Sequence, residues 1–185
     1  MKKVALLPAV ALVLGGCYLS VNTALGPEVA RARAQKAPVL IYAIGVPGQI
    51  SIPGSAYTAV PVYVQFLVTG KRPIKQISFA LRAYSQRGLA IRNRSGSQLQ
   101  MILIGPGVFN PDKLYEVNSF NSRPAGFPDG SVACVELRQM TITYTAGDRK
   151  SFTLPRLDAV LTPQLRHGCG DSGPSVNNLL SDRSN

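Results

Sequence analysis

The stretch Ile74-Lys75-Gln76-Ile77-Ser78-Phe79-Ala80-Leu81-Arg82-Ala83-Tyr84-Ser85 decides the fold of this chain. Ile77, Phe79, Leu81 and Ala83 alternate in it with small or polar residues, so that every second side chain faces the same way. This period of two is typical of a β-strand with one buried and one solvated face. The stretch therefore predicts a long strand that packs one face against a core.

Shorter strands are predicted on both sides of this segment, separated by turns rich in glycine and proline. The apolar runs lie at 39–44, 49–52, 60–68, 89–91, 99–104, 114–117, 132–145 and 151–154. The apolar parity shifts near Arg138-Gln139, which predicts a β-bulge there. The run 99–104 is almost continuously apolar, which favours a strand buried on both faces or covered by a tether, and Gly105-Pro106-Gly107 is expected to end it.

Seven to eight short strands and no convincing long helix predict an all-β protein, an antiparallel β-sandwich. The segment 74–88 resembles immunoglobulin- or fibronectin-type domains, although the chain has no tryptophan for the usual core position. Cys134 and Cys169 come too late in the chain to be the usual inter-sheet pair. An immunoglobulin-like sandwich, a transthyretin-like sandwich and a barrel are all compatible with this pattern.

The amino terminus carries a different kind of signal. Met1-Lys2-Lys3 is followed by an apolar run at 4–14 and then by Leu14-Gly15-Gly16-Cys17. This segment resembles the signal peptide and lipobox of bacterial lipoprotein precursors. The resemblance implies export, a diacylglyceryl thioether on Cys17, cleavage before it and usually a third acyl chain. The apolar run is too short for a membrane-spanning helix of about 20 residues, although an uncleaved anchor and an ordinary signal peptide are alternatives.

This interpretation divides the chain into four parts. Residues 1–16 are a lipoprotein signal peptide, 17–37 a lipidated tether, 38–169 the β-sandwich domain and 170–185 a flexible tail. The tether contains helix formers but few large apolar side chains, so it is expected to be solvated. Tyr18, and not aspartate, follows Cys17. By the sorting rule of enterobacterial lipoproteins, this implies the outer membrane, with the domain facing the periplasm.

The chain has three cysteines, an odd number that needs an explanation in an exported protein. If Cys17 carries lipid, Cys134 and Cys169 remain to form a disulfide in an oxidising compartment. Two free thiols are the alternative. The single histidine, His167, and these cysteines lack the spacing of metal ligands, so neither a metal nor another cofactor is expected.

The positive charge is concentrated in one half of the sequence. The chain has 20 Lys and Arg against 9 Asp and Glu, and no acidic residue lies between Glu28 and Asp112. We expect basic residues of this acid-free stretch to form one face that meets an anionic envelope component or protein partner. Lipopolysaccharide phosphates, anionic lipid or an acidic glycan are examples of such a component. Intracellular nucleic acid is excluded by export. A merely solvated basic surface is the alternative. The residues of this face are Lys71, Arg72, Lys75, Arg82, Arg87, Arg92 and Arg94.

No catalytic motif is found, and no catalytic residue is predicted. The sequence therefore predicts a non-catalytic binding or scaffolding module of a cell-envelope assembly, held to the membrane by lipid on Cys17. The alternative is an envelope hydrolase or carbohydrate-active enzyme with an unrecognised site. Its carboxylates would come from Asp112, Glu116, Asp129 and Glu136.

Overall fold

The structure, a computed structural model, describes residues 16–47, 50–51, 58–92, 100–119, 127, 132–166 and 169. The predicted signal peptide, apart from its last residue, and the predicted tail lie outside these residues. The described elements are α1 (Gly16–Ala34), β1 (Val39–Gly45), β2 (Ile50–Ser51), β3 (Thr58–Ala59), β4 (Tyr63–Val68), β5 (Ile74–Ser85), β6 (Gln100–Phe109), β7 (Leu114–Asn118), β8 (Val132–Tyr144), β9 (Arg149–Thr153), a 3₁₀ turn (Arg156–Ala159) and α2 (Pro163–Arg166).

Two antiparallel sheets face each other, so the predicted all-β sandwich is confirmed. One sheet has the order β1-β4-β7 and the other β6-β5-β8-β9, while β2 and β3 form a separate small pair. Strand β6 pairs antiparallel with β5 and forms one edge of the four-stranded sheet.

Aromatic side chains fill the centre of the core. Phe66 of β4 is fully buried, and its ring centroid lies 5.7 Å from that of Phe79 in the opposite sheet. Phe109 and Tyr115 approach the same ring at 5.5 Å and 5.9 Å. Tilted and edge-on pairs of this kind add roughly 0.5–1.5 kcal/mol each beyond the area they bury. The contacts of Phe66 with Phe79 and Phe109 join the two sheets, whereas Tyr115 belongs to the neighbouring strand of the same sheet as Phe66.

The alternation of buried and outward-facing side chains predicted for β5 is confirmed. Ile77, Phe79, Leu81 and Ala83 are completely buried. The predicted bulge in β8 is also confirmed, because the β5–β8 register slips by one residue at Arg138. The slip brings the apolar residues on either side of the bulge to the same face of the sheet.

The prediction for β6 is wrong in two respects. Met101 and Leu103 are buried, but Ile102 and Ile104 point outward with 65% and 48% of their surface exposed. The strand lies at the edge of its sheet, and no described element packs on its outer face. Gly105-Pro106-Gly107 does not end the strand but lies within it, at a register irregularity opposite Lys75. An edge strand tolerates a proline there because its outward side needs no backbone donor.

The end of helix α1 belongs to the core, which differs from the solvated tether expected for this part of the chain. Ala32 and Ala37 are buried. The helix closes with a Schellman motif, in which Ala37 N donates to Ala32 O at 2.9 Å and Lys36 N donates to Arg33 O at 3.0 Å. Alanine can be buried here because its small side chain lets the helix approach the sandwich closely.

Arg31 fastens this helix to the end of the chain. Its Nη2 donates to Leu161 O at 2.7 Å and its Nη1 to Asp158 O at 3.3 Å, while its Nε pairs with Glu28 at 2.8 Å. Charge-assisted hydrogen bonds of this type are among the stronger polar contacts in proteins. The guanidinium therefore holds together two segments from opposite ends of the sequence.

The segment after β9 closes one side of the sandwich. Leu157 and Val160 are completely buried, and Leu161 forms a parallel bridge with Ile41 at the free edge of β1. The segment ends at the predicted disulfide, which is confirmed: Cys134 of β8 and Cys169 are bonded with their Cα atoms 5.9 Å apart. The bond pins the chain after α2 to β8.

Candidate functional site

The sandwich has two ends, and the predicted basic residues are divided between them. The α1 end is formed by the turn 69–73, the loop 110–113 and the turn 145–148, close to the point where α1 joins β1. The disulfide end is formed by the turn 86–89 and the bond between Cys134 and Cys169. Strand β5 runs from one end to the other, a distance of roughly 35 Å for its twelve residues. The basic residues described by the structure therefore lie in two groups, one towards each end of β5.

Lys71, Arg72 and Lys75 lie exposed at the α1 end. Arg72 pairs with Asp148 at 2.6 Å, and its guanidinium carbon lies 4.3 Å above the centroid of the Tyr144 ring. The hydrogen bond from Arg72 is the main cause that lowers the pKa of Asp148. Burial raises the pKa of Tyr144, against the opposing charge of Arg72.

Arg82, Arg87 and Arg92 lie towards the disulfide end, and Arg94 is outside the described residues. Arg82 faces Glu136 across the β5–β8 ladder, and its Nε is buried without a hydrogen-bond partner in the described part of the chain. Burial and a hydrogen bond to Glu136 raise the pKa of Tyr84, against the lowering effect of Arg82. This group of cations is therefore partly engaged with its own sheet.

A cleft of about 410 Å³ at the α1 end was not predicted from the sequence. Three cations from separate segments line it: Lys36 after α1, Lys150 of β9 and Arg156 of the 3₁₀ turn. Lys150 and Arg156 lie in the half of the chain where acidic and basic residues balance, so a count of charges along the sequence could not find them. The fold brings them to Lys36.

The carboxylates proposed for an enzyme lie apart in the structure. Asp112 lies in the loop after β6 and pairs with Arg33 at 2.6 Å. Glu116 is on the outer face of β7, and Glu136 is on the outer face of β8 in the opposite sheet. Asp129 is outside the described residues. The three described carboxylates therefore do not face one another across a cleft.

Glu116 and Glu136 each have a polar neighbour on their own sheet. Glu116 accepts a hydrogen bond from Gln65 at 2.9 Å, and Glu136 pairs with Arg138 at 2.7 Å. Within the described ranges, no group of three or more His, Cys, Asp or Glu side chains is placed to hold a metal ion. No helix in those ranges is long and apolar enough to cross a membrane. Cys17 is the second residue of α1, and the structure describes its place in the helix but not its side chain.

Comparisons with known proteins give structural likenesses only. No family model matches the chain, and no curated protein matches it. The solved structure of IrmA from Escherichia coli is similar with 15% identity and a TM-score of 0.42, over 70% of this chain and 95% of that one. The X-ray structure of Northeast Structural Genomics Consortium target SoR45 is similar with 10% identity and a TM-score of 0.32, over 63% of this chain and 81% of that one.

Proposed function

We propose that this protein is a lipoprotein of the bacterial cell envelope, anchored through Cys17 in the outer membrane and facing the periplasm. Its sandwich acts as a non-catalytic binding or scaffolding module of an envelope assembly. The observation that carries the proposal is the lipobox-like Leu14-Gly15-Gly16-Cys17 directly ahead of a chain that folds as a sandwich. Two acyl chains are enough to hold a protein stably on a membrane.

Helix α1 supports this proposal as the connection between anchor and domain. It runs from Gly16 to Ala34, and Arg31 fastens its end to the carbonyl oxygens of Asp158 and Leu161. From Cys17 to Ala34 such a helix is about 25 Å long. The lipid would therefore be joined to the sandwich through a docked helix and not through a slack linker.

The disulfide is a second support, because structural disulfides persist in oxidising compartments such as the periplasm. The binding role is supported by the exposed cations at both ends of the sandwich. The separation of Asp112, Glu116 and Glu136 favours a binding module over the hydrolase alternative, which needs two carboxylates within about 5–10 Å.

Mass spectrometry of the membrane fraction tests the anchor. We expect a mature chain that begins at Cys17 and carries acyl groups on its sulfur and amino terminus. The variant Cys17→Ala should keep its signal peptide and lose the acyl mass. A mature protein with an unmodified Cys17, or one that remains in the cytoplasm, would overturn the proposal.

Crosslinking and pull-down from intact envelopes tests the anionic partner. Charge reversal of Arg87, Arg92 and Arg94 is compared with charge reversal of Lys71 and Lys75, so that each end of the sandwich is tested against the other. Loss of captured material in one variant identifies the end that meets the partner, and this loss should mimic the effect of raised salt. The same captured material at the same yield in both variants would show that these residues form only a solvated surface.

A further inference from the structure

The cleft at the α1 end is built from segments that are far apart in the sequence. Lys36 follows α1, Lys150 belongs to β9 and Arg156 begins the 3₁₀ turn. Pro38 and Tyr144, both buried, and the half-buried Phe152 supply its apolar wall. At about 410 Å³ its volume falls within the range of roughly 300–1,000 Å³ that is usual for small-molecule sites.

The cations of the cleft are exposed, and none of them is paired with a carboxylate of the described residues. In the described part of the chain, no carboxylate oxygen lies within 4.0 Å of the charged groups of Lys36, Lys150 or Arg156. Lys150 helps to lower the pKa of Asp148, but that carboxylate is hydrogen-bonded to Arg72. A cleft lined by several cations attracts an anion from solution.

Lys36 occupies a backbone position that suits glycine better. It is the C′ residue of the Schellman motif after α1, and its φ is 55°, in the left-handed region. Glycine is usual at C′ because any other side chain brings Cβ too close to the backbone. The side chain that Lys36 carries at this position lines the cleft.

Tyr144, one of the residues that line the cleft, carries a neutral hydroxyl group. The hydroxyl of Tyr144 makes no hydrogen bond to the described residues. Phosphate carries more than one negative charge and several acceptor oxygens, which matches three cations and a hydroxyl better than a single carboxylate does. The apolar side chains of Phe152 and Pro38 supply a surface against which a carbon skeleton attached to that phosphate can pack.

We propose that the cleft of Lys36, Lys150 and Arg156 is a binding site for a phosphate group on a small organic or lipid carrier. The proposal does not depend on the lipid anchor, because every residue that carries it lies in the folded sandwich or in the cap of α1. The phosphate is supplied either by a soluble phosphate compound or by the headgroup of an anionic phospholipid.

The test is isothermal titration calorimetry on the full exported protein, purified in a neutral detergent. The two probes are inorganic pyrophosphate and dihexanoyl phosphatidylglycerol. We expect at least one probe to bind, and we expect Lys36→Gly and Lys150→Gln each to weaken that binding by about tenfold or more. Lys71→Gln removes an exposed charge at the same end but outside the cleft, so it should change the affinity by less than about twofold.

Lys36→Gly separates loss of the site from loss of the fold, because glycine fits the C′ conformation and the thermal midpoint should not fall. If pyrophosphate binds as tightly as the phospholipid or more tightly, the ligand is a soluble phosphate compound. If the phospholipid binds about tenfold more tightly than pyrophosphate, the ligand is a lipid headgroup. Both results support the site. The proposal is overturned if neither probe binds at up to about 10 mM, or if Lys71→Gln weakens binding as much as Lys36→Gly.

Discussion

The α1 end and the disulfide end of the sandwich are held together by different means. At the α1 end β8 is paired with β9, and α1 is capped and fastened by Arg31. Towards the disulfide end β8 extends beyond β9, whose pairing stops at Gln139, and the bond between Cys134 and Cys169 holds the chain there. The comparison shows that a covalent link is used where the hydrogen-bonded ladder is incomplete.

The two ends also differ in how they use positive charge. Towards the disulfide end Arg82 faces Glu136 within its own sheet. At the α1 end Arg33 and Arg72 are paired with carboxylates, whereas the cations of the cleft are paired with none among the described residues. The α1 end therefore carries more of the described basic residues than the disulfide end, and three of them line a cleft.

The largest expected effect comes from breaking the disulfide end. The double variant Cys134→Ser, Cys169→Ser should lose roughly 3–4 kcal/mol of unfolding free energy, because the bond closes a loop of 35 residues in the unfolded chain. Urea denaturation measures this loss. A reductant should destabilise the natural protein by a similar amount and leave the double variant unchanged. A loss below about 1 kcal/mol would show that the segment after α2 is held by its other contacts.

The sequence predicted the strands of the core because alternation is a local signal, and it predicted the disulfide because Cys134 and Cys169 remain once Cys17 is assigned to lipid. In β5 the two faces differ in environment, and the alternation of Ile77 and Phe79 with polar residues records this difference. In β6 the outer residues Ile102 and Ile104 are apolar although they are exposed, so the pattern alone indicated burial on both faces. Exposed apolar side chains are common on protein surfaces, so the pattern alone does not separate them from buried ones.

The site was less predictable than the fold, since it depends on tertiary placement. The basic half of the sequence was expected to make one face, but β5 carries Lys75 and Arg82 towards opposite ends. The cleft joins Lys36 to two cations from the charge-balanced half of the chain. The docking of α1 was missed because Arg31 acts through backbone carbonyls, which leave no mark in the sequence.

A smaller effect is expected when the α1 end is loosened. Arg31→Ala removes hydrogen bonds to Leu161 O and Asp158 O from a side chain that is 25% exposed, so we expect a loss of about 1–2 kcal/mol. Arg33→Ala is the matched control on the same helix. Its ion pair with Asp112 is more than half exposed and should contribute less than about 0.5 kcal/mol.

Urea denaturation measures both arginine variants, and hydrogen exchange of residues 25–34 shows whether the helix is released. Faster exchange in Arg31→Ala but not in Arg33→Ala is the expected result. Equal losses of stability in the two variants would mean that Arg31 acts as a surface charge and that the helix is held by its buried alanines alone.

The smallest expected effects distinguish the two ends by their dependence on pH. At the α1 end Arg72 lowers the pKa of Asp148 below its ordinary value of 3.8. The contribution of Asp148 to stability is therefore present above pH 3.8 and is lost as the pH falls through the lowered pKa of the folded state. Burial raises the pKa of Tyr144 above 10.0, so the tyrosine favours the folded state below that pH, and this contribution is lost as the pH rises through the higher pKa. The pKa of Tyr84, nearer the disulfide end, is raised in the same direction, and burial is again the largest cause.

Asp148→Asn should therefore flatten the acid limb of the stability profile, while Tyr144→Phe and Tyr84→Phe should each flatten the alkaline limb. The effect of Asp148 is expected to be small, because the ion pair with Arg72 is about half exposed and is screened by solvent. Urea midpoints measured across the pH range, together with tyrosinate absorbance, report both limbs. Phenylalanine keeps the ring beneath Arg72, so a loss of stability in Tyr144→Phe at neutral pH would contradict a role confined to ionisation and would assign the hydroxyl a structural contact.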